Sequence, residues 1–170
     1  MAERRPAART RSKAAKPEVV PAGPQTVPVP LPVDPEPESG TGAVEELIHA
    51  QLQELRAQVP GVLACLVASS DGLLIAEQSG ELEPTRMAAL TATMTALAAQ
   101  AVQATRRGDL LDAVVRGTMG NLAVFAIGPN AVLAVVSDSD VTVAWLHVKT
   151  RPVVEQLLLI SDRFDRFFTP

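Results

Sequence analysis

Histidine, aspartate, cysteine and glycine at particular spacings are where catalysis or ligand binding would begin, and this chain offers few such arrangements. His49 falls within a helical pattern and His147 lies near Trp145, with no H-x-x-x-H or comparable spacing. Isolated histidines of this kind are surface or capping residues more often than metal ligands. Asp138 and Asp140 have the spacing that opens a calcium loop. Val143 stands where that loop needs glycine, however, and the later bidentate glutamate is missing. The run from Gly117 to Gly120 is not followed by Lys and Ser or Thr, so it is no phosphate loop, and no G-x-S-x-G elbow occurs. Cys65 is the single cysteine, which excludes an internal disulfide and any multi-cysteine metal site. Its apolar setting reads as a buried, inert thiol. The chain is therefore read as non-enzymatic, with no catalytic residue, no metal and no cofactor.

Composition divides the chain. Nine of the fourteen prolines lie between Pro6 and Pro37, and large apolar residues are scarce there. Residues 1–42 are read as a disordered, Pro-rich tail that favours an extended polyproline spacer. Its P-x-x-P spacings, Pro21 with Pro24 and Pro32 with Pro35, could dock on an aromatic groove, but such spacings arise wherever proline is dense. Residues 1–17 carry six bases against Glu3, whereas residues 43–170 carry nine bases and fourteen acids. An acidic folded part argues against nucleic-acid binding. No apolar run is long enough to span a bilayer, and no apolar segment follows the basic N-terminus, so a cytoplasmic location is expected.

The folded part, residues 43–170, reads as a sequence of short elements. Val44, Leu47, Ile48, Leu52, Leu55 and Val59 repeat at helical spacing until Pro60-Gly61 stops them. Two strands follow, residues 62–68 and 73–77, reversed by Ser69-Ser70-Asp71-Gly72, since Asp-Gly between apolar runs signals a hairpin. Pro84 opens a long helix to about Arg107, with Gly108 placed to end it. Arg106 and Arg107 would complement its negative end or touch an acidic partner. One face carries Met87, Leu90, Met94 and Leu97, and the rest is mostly Ala and Thr. Strands over residues 110–116, 122–127 and 132–136 are separated by glycine-containing turns too short for parallel pairing. Residues 141–148 fit a strand or a helix. Pro152 predicts a kink or a fresh start near Arg151, after which Leu157, Ile160, Phe164 and Phe168 are helical.

That order, helix-strand-strand-helix-three strands-helix, resembles the Roadblock/LC7 family over about residues 43–160. The likeness is carried by Val59-Pro60-Gly61-Val62, Ser70-Asp71-Gly72-Leu73, Val115-Arg116-Gly117 and Asn130-Ala131-Val132-Leu133-Ala134-Val135. Val141-Thr142-Val143 departs from it, because the family places a glycine shortly before its final helix. The resemblance implies an α/β (α+β) profilin-like sandwich with a five-stranded antiparallel sheet in the order 2-1-5-4-3. It also implies a homodimer and a bacterial partner of small Ras-like GTPases, either modulating GTP hydrolysis or serving as a scaffold. An uncovered third-strand edge and an apolar long helix give the dimer a physical reason.

On this reading Met87, Leu90, Met94, Leu97, Leu111, Ala113 and Val115 form the dimer interface. Ala89, Thr93, Ala96 and Gln100 form the partner-binding face. The long helix has no basic residue after Arg86 until its end, so an arginine finger is not expected. The competing reading is a small-molecule sensor of the PAS or profilin-like type. It would need a hollow core with converging polar groups, and the strands offer mostly Ala, Val and Leu.

Overall fold

Period-two patterning decides which side of a sheet each strand residue faces, and in this chain both sides are apolar. The computed structural model describes residues 41–78 and 80–168. Its elements are α1 (Thr41–Gln58), β1 (Val62–Ser69), β2 (Leu74–Gln78), α2 (Pro84–Ala104), β3 (Asp112–Gly117), β4 (Gly120–Ile127), β5 (Ala131–Asp138) and α3 (Val143–Phe168). The strands form one sheet in the order β2-β1-β5-β4-β3, antiparallel throughout. This is the order the family resemblance implies. The tail expected over residues 1–42 lies outside the described residues as far as residue 40.

Alternate residues of the central strands feed two separate cores. Cys65 and Val67 of β1, Phe125 of β4 and Leu133 of β5 pack under α1 and α3. Leu66 and Ala68, Val124, and Val132 and Ala134 face α2 on the other side. From α1 the buried stripe is Val44, Ile48, Leu52, Leu55 and Val59. Leu47 does not join it and stands exposed, because its position falls beside the stripe rather than on it.

The C-terminal region differs most from the sequence reading. Residues 143–148 are helical, and α3 runs through Pro152 without a break. An interior proline removes one helical hydrogen bond and costs about 3 kcal/mol in an isolated helix. Here Pro152 and Val148, whose carbonyl loses its donor, both face solvent, where water can take up that carbonyl. Leu146, Val153 and Leu157 are buried on the inner side and hold the helix across the proline. Thr142 caps its start, its Oγ1 accepting from Trp145 N at 3.3 Å. Of the expected stripe, the side chains of Phe164 and Phe168 lie outside the described residues.

The long helix also ends earlier than expected. α2 stops at Ala104, and Arg106 takes the left-handed conformation (φ 55°) in which glycine is usual. Arg107 N donates to Val102 O at 3.1 Å and Arg106 N to Gln103 O at 2.9 Å, the paired bonds of a Schellman ending. Gly108 follows two residues too late for that role.

One junction ties the turn before β1 to the loop before α3. Gly61 has φ +94°, and a Cβ there would sit 2.7 Å from Val141 Cγ2 and 2.9 Å from both Asp138 carboxylate oxygens. Asp138 N donates to Gly61 O at 2.9 Å, and the buried Asn121 amide donates to Val141 O at 3.1 Å. A side chain at residue 61 therefore meets both backbone strain and a filled space. Gly61→Ala is expected to lower the unfolding free energy by roughly 1–3 kcal/mol, read by urea denaturation. An unchanged midpoint would show that the junction relaxes freely.

Candidate functional site

The composition of α2 decides its packing. Its inward residues are small: Ala88 and Thr91 are fully buried and Ala92 nearly so. Met87 and Met94 flank them and pack partly against the sheet. Leu90 and Leu97, which share the sequence stripe with Met87 and Met94, point outward, 51% and 68% exposed. An Ala- and Thr-rich helix lies close to the sheet and leaves no room beneath it for leucine.

The outward face is smooth and poor in donors. Thr93 Oγ1 donates to Ala89 O at 2.9 Å and Thr95 Oγ1 to Thr91 O at 2.8 Å, so both hydroxyls are used within the helix. Arg86 is the one charged residue in α2. Ala89, Thr93, Ala96 and Gln100 are exposed and, with Leu97, line a shallow hollow of about 560 Å³. Its second wall is Ser70 and Asp71 of the β1–β2 hairpin.

The hairpin is fixed by its own sequence. Ser69 N donates to Leu73 O at 2.8 Å, Leu73 N donates to Ser69 Oγ at 2.9 Å, and Ser69 Oγ bonds the Asp71 carboxylate. Gly72 has φ +91°, and a Cβ there would lie 3.2 Å from Ala89 Cα. The Asp-Gly pair therefore both makes the turn and lets it rest on α2. Of the residues lining this hollow, the sequence reading named Ala89, Thr93, Ala96 and Gln100 but not Ser70 and Asp71, although the Asp-Gly signal marks their turn.

The strand β3 pairs with β4 alone and is one edge of the sheet. Leu111 just before it is 79% exposed and Val115 is 52% exposed, while Ala113 packs partly with the α2 layer. Of the expected interface residues, Leu90, Leu97, Leu111 and Val115 are thus exposed. Met87, Met94 and Ala113 are shared with the protein's own core.

The isolated polar residues serve local structure. His49 Nε2 lies 4.0 Å from Glu45 on the exposed side of α1. His147 Nε2 stands 3.5 Å from Asp112 Oδ1, too poorly directed for a good hydrogen bond, and its ring meets Phe125 edge-on at 5.4 Å. These residues border a cleft of about 450 Å³ whose rim includes Leu111, Val148 and Leu158. Asp138 Oδ1 accepts from Asp140 N at 3.0 Å and Val141 N at 3.3 Å, capping the loop before α3. Among the described residues no group of three or more His, Cys, Asp or Glu could hold a metal ion, and no helix is long and apolar enough to cross a membrane.

A five-stranded antiparallel sheet with one helix on one face and two on the other defines an α+β sandwich, with exposed apolar residues on α2 and the β3 edge among other places. Residues 48–137 match the sequence model of the Roadblock/LC7 domain, and the chain belongs to that family. It is similar in structure to MglB of Myxococcus xanthus, with a TM-score of 0.65 and 17% identity over 70% of this chain and 90% of that one. Against the gliding protein MglB of Thermus thermophilus the TM-score is 0.64 with 20% identity, over 72% and 93%. A Roadblock/LC7 domain from Streptomyces avermitilis gives 0.60 and 25% identity, over 64% and 92%. No curated protein matches in sequence.

Cys65 lies at the base of the α1 layer, its thiol 3.5 Å from Leu52 O. Burial pushes its pKa up to about 12, with Glu77 adding to the rise and Arg56 opposing it. The thiol is therefore protonated across the neutral range and shielded by α1. Iodoacetamide at about pH 8 is expected to leave it intact in the folded protein and alkylate it in denaturant, followed by mass spectrometry. Rapid labelling of the folded protein would contradict this burial.

Proposed function

We propose that this chain is a non-enzymatic regulatory subunit, acting in the cytoplasm, that homodimerises and binds a small Ras-like GTPase or its signalling complex. The observation that carries the reading is the outward face of α2 beside an open β3 edge. Leu90, Leu97, Leu111 and Val115 would be left in water by a monomer. Covering the part of each that is still exposed is worth roughly 1–2 kcal/mol before the cost of ordering. An open, apolar strand edge also invites a second strand. A second copy uses Met87, Leu90, Met94, Leu97, Leu111, Ala113 and Val115, and the hollow formed by Ala89, Thr93, Ala96 and Gln100 receives the GTPase. Membership of the Roadblock/LC7 family supports the same role.

With Arg86 as the one charge on α2, such a subunit acts on hydrolysis by favouring one conformation of the GTPase rather than by donating a transition-state arginine. Replacing Thr93 and Gln100 with glutamate adds two charges to the hollow beside Asp71 without emptying the core. The double variant is expected to remain a folded dimer and to lose its GTPase in a pull-down. Full retention of the GTPase would sink the reading, and loss of the dimer would assign this face to self-association alone.

A small-molecule sensor is the second reading, favoured by the cleft beside His147. Two buried hydroxyls without partners, Thr91 Oγ1 and Thr150 Oγ1, argue against a converging polar site, because they belong to helices on opposite faces of the sheet. Nucleotides and common metabolites are expected to leave the melting temperature unchanged. A saturable rise with one of them would revive the sensor.

A further inference from the structure

The strand β3 carries a charge near each end, Asp112 and Arg116, with Val114 midway. Its backbone groups divide by parity. Ala126 N donates to Leu111 O at 3.0 Å, and the β3–β4 register continues as Asp112 opposite Phe125 and Ala113 opposite Val124. Antiparallel ladders alternate, so Leu111, Ala113 and Val115 direct their backbone groups to β4. Asp112, Val114 and Arg116 direct theirs to the open edge. Side chains alternate in step. Val114 packs on the α1–α3 core and Asp112 stands by His147 of α3, whereas Ala113 belongs to the α2 layer.

A second copy added to this edge about a two-fold axis must pair outward-directed residues with outward-directed residues. Registers centred on Ala113, Val114 or Val115 meet that condition. Centring on Ala113 sets Asp112 against the partner's Val114. Centring on Val115 sets Arg116 against the partner's Val114. Centring on Val114 alone sets Asp112 opposite the partner's Arg116, and symmetry repeats the pair at the other end. It also aligns the strand with its copy over nearly its whole length.

We infer that β3 is a self-pairing strand whose register is set by reciprocal Asp112–Arg116 ion pairs with a second copy of this chain. The inference rests on the dimer reading above and adds its geometry. Isolated surface ion pairs contribute little. This one occurs twice, lies between directly opposed residues and begins from an Asp112 side chain only 32% exposed. Its chief effect is to exclude the neighbouring registers, which leave the charges facing valine.

Charge exchange tests the register on the full-length chain by analytical ultracentrifugation. Asp112→Arg and Arg116→Asp each place like charges at both ends of the strand pair, and each is expected to weaken self-association roughly tenfold or more. Mixing the two variants restores opposite charges at both ends, so a heterodimer forms in preference to either homodimer. The double variant D112R/R116D returns to near wild-type affinity. Recovery on mixing also shows that both single variants are folded. If the wild type dimerises and the single variants match it, or mixing restores nothing, the register is wrong while the dimer stands. A wild type that stays monomeric at every concentration overturns both.

Discussion

The close contact between α2 and its sheet governs the rest of the molecule. Ala88, Thr91 and Ala92 are the residues the helix sets against the strands, and a leucine at any of them would add roughly 2 kcal/mol of burial if space allowed. Small residues instead bring the two backbones together. The layer they build is thin, with Leu66, Ala68, Val124, Val132 and Ala134 below and two methionines at its margin. The opposite face is filled by two helices and by Ile48, Leu52, Leu133, Leu146 and Leu157. The thick face stabilises the fold, and the thin face leaves the large residues of α2 pointing at solvent.

The same closeness explains why parts of the structure could be read from sequence and others could not. The strand positions, the hairpin at Asp71-Gly72 and the α1 stop at Pro60-Gly61 follow from local rules that the tertiary structure does not override. The inward side of α2 does not, because a helix apolar nearly all round gives periodicity no contrast to detect. Sequence spacing puts Leu90 and Leu97 on one stripe with Met87 and Met94, and only the packing separates the exposed leucines from the half-buried methionines. Pro152 misleads for a related reason. Its local cost is real, but Leu146, Val153 and Leu157 pack on both sides of it, and that burial outweighs one missing hydrogen bond. The left-handed Arg106 similarly lacks the glycine that would have announced the end of α2.

Polar groups in this domain are largely committed to holding turns. Ser69 and Asp71 shape the hairpin, Asn121 anchors the loop before α3, and the Asp138 carboxylate caps that loop. Thr93 and Thr95 return their hydroxyls to the α2 backbone. What the surface offers in quantity is shape and apolar area. A surface so equipped could shift a partner's equilibrium only by binding one of its conformations better than another, and the shift cannot exceed that difference in affinity.

The two surfaces of the proposed function share the thin layer, which gives them a physical route to coupling. Ala113 of β3 packs into the same cluster as Met87 and Met94 of α2, and Ala89 of that helix touches the hairpin wall of the hollow. Pairing a second strand along β3 would fix the backbone of the edge on which that cluster rests. The position of α2, and with it the width of the hollow between Thr93 and Asp71, is then set partly by self-association. Any partner that prefers one width must, by linkage, strengthen or weaken the dimer by the same factor. Because the layer is built from small, closely packed residues, a displacement of α2 has little soft material to absorb it. If the edge and the hollow serve the proposed function, this shared layer is the path by which occupancy of one would be felt at the other.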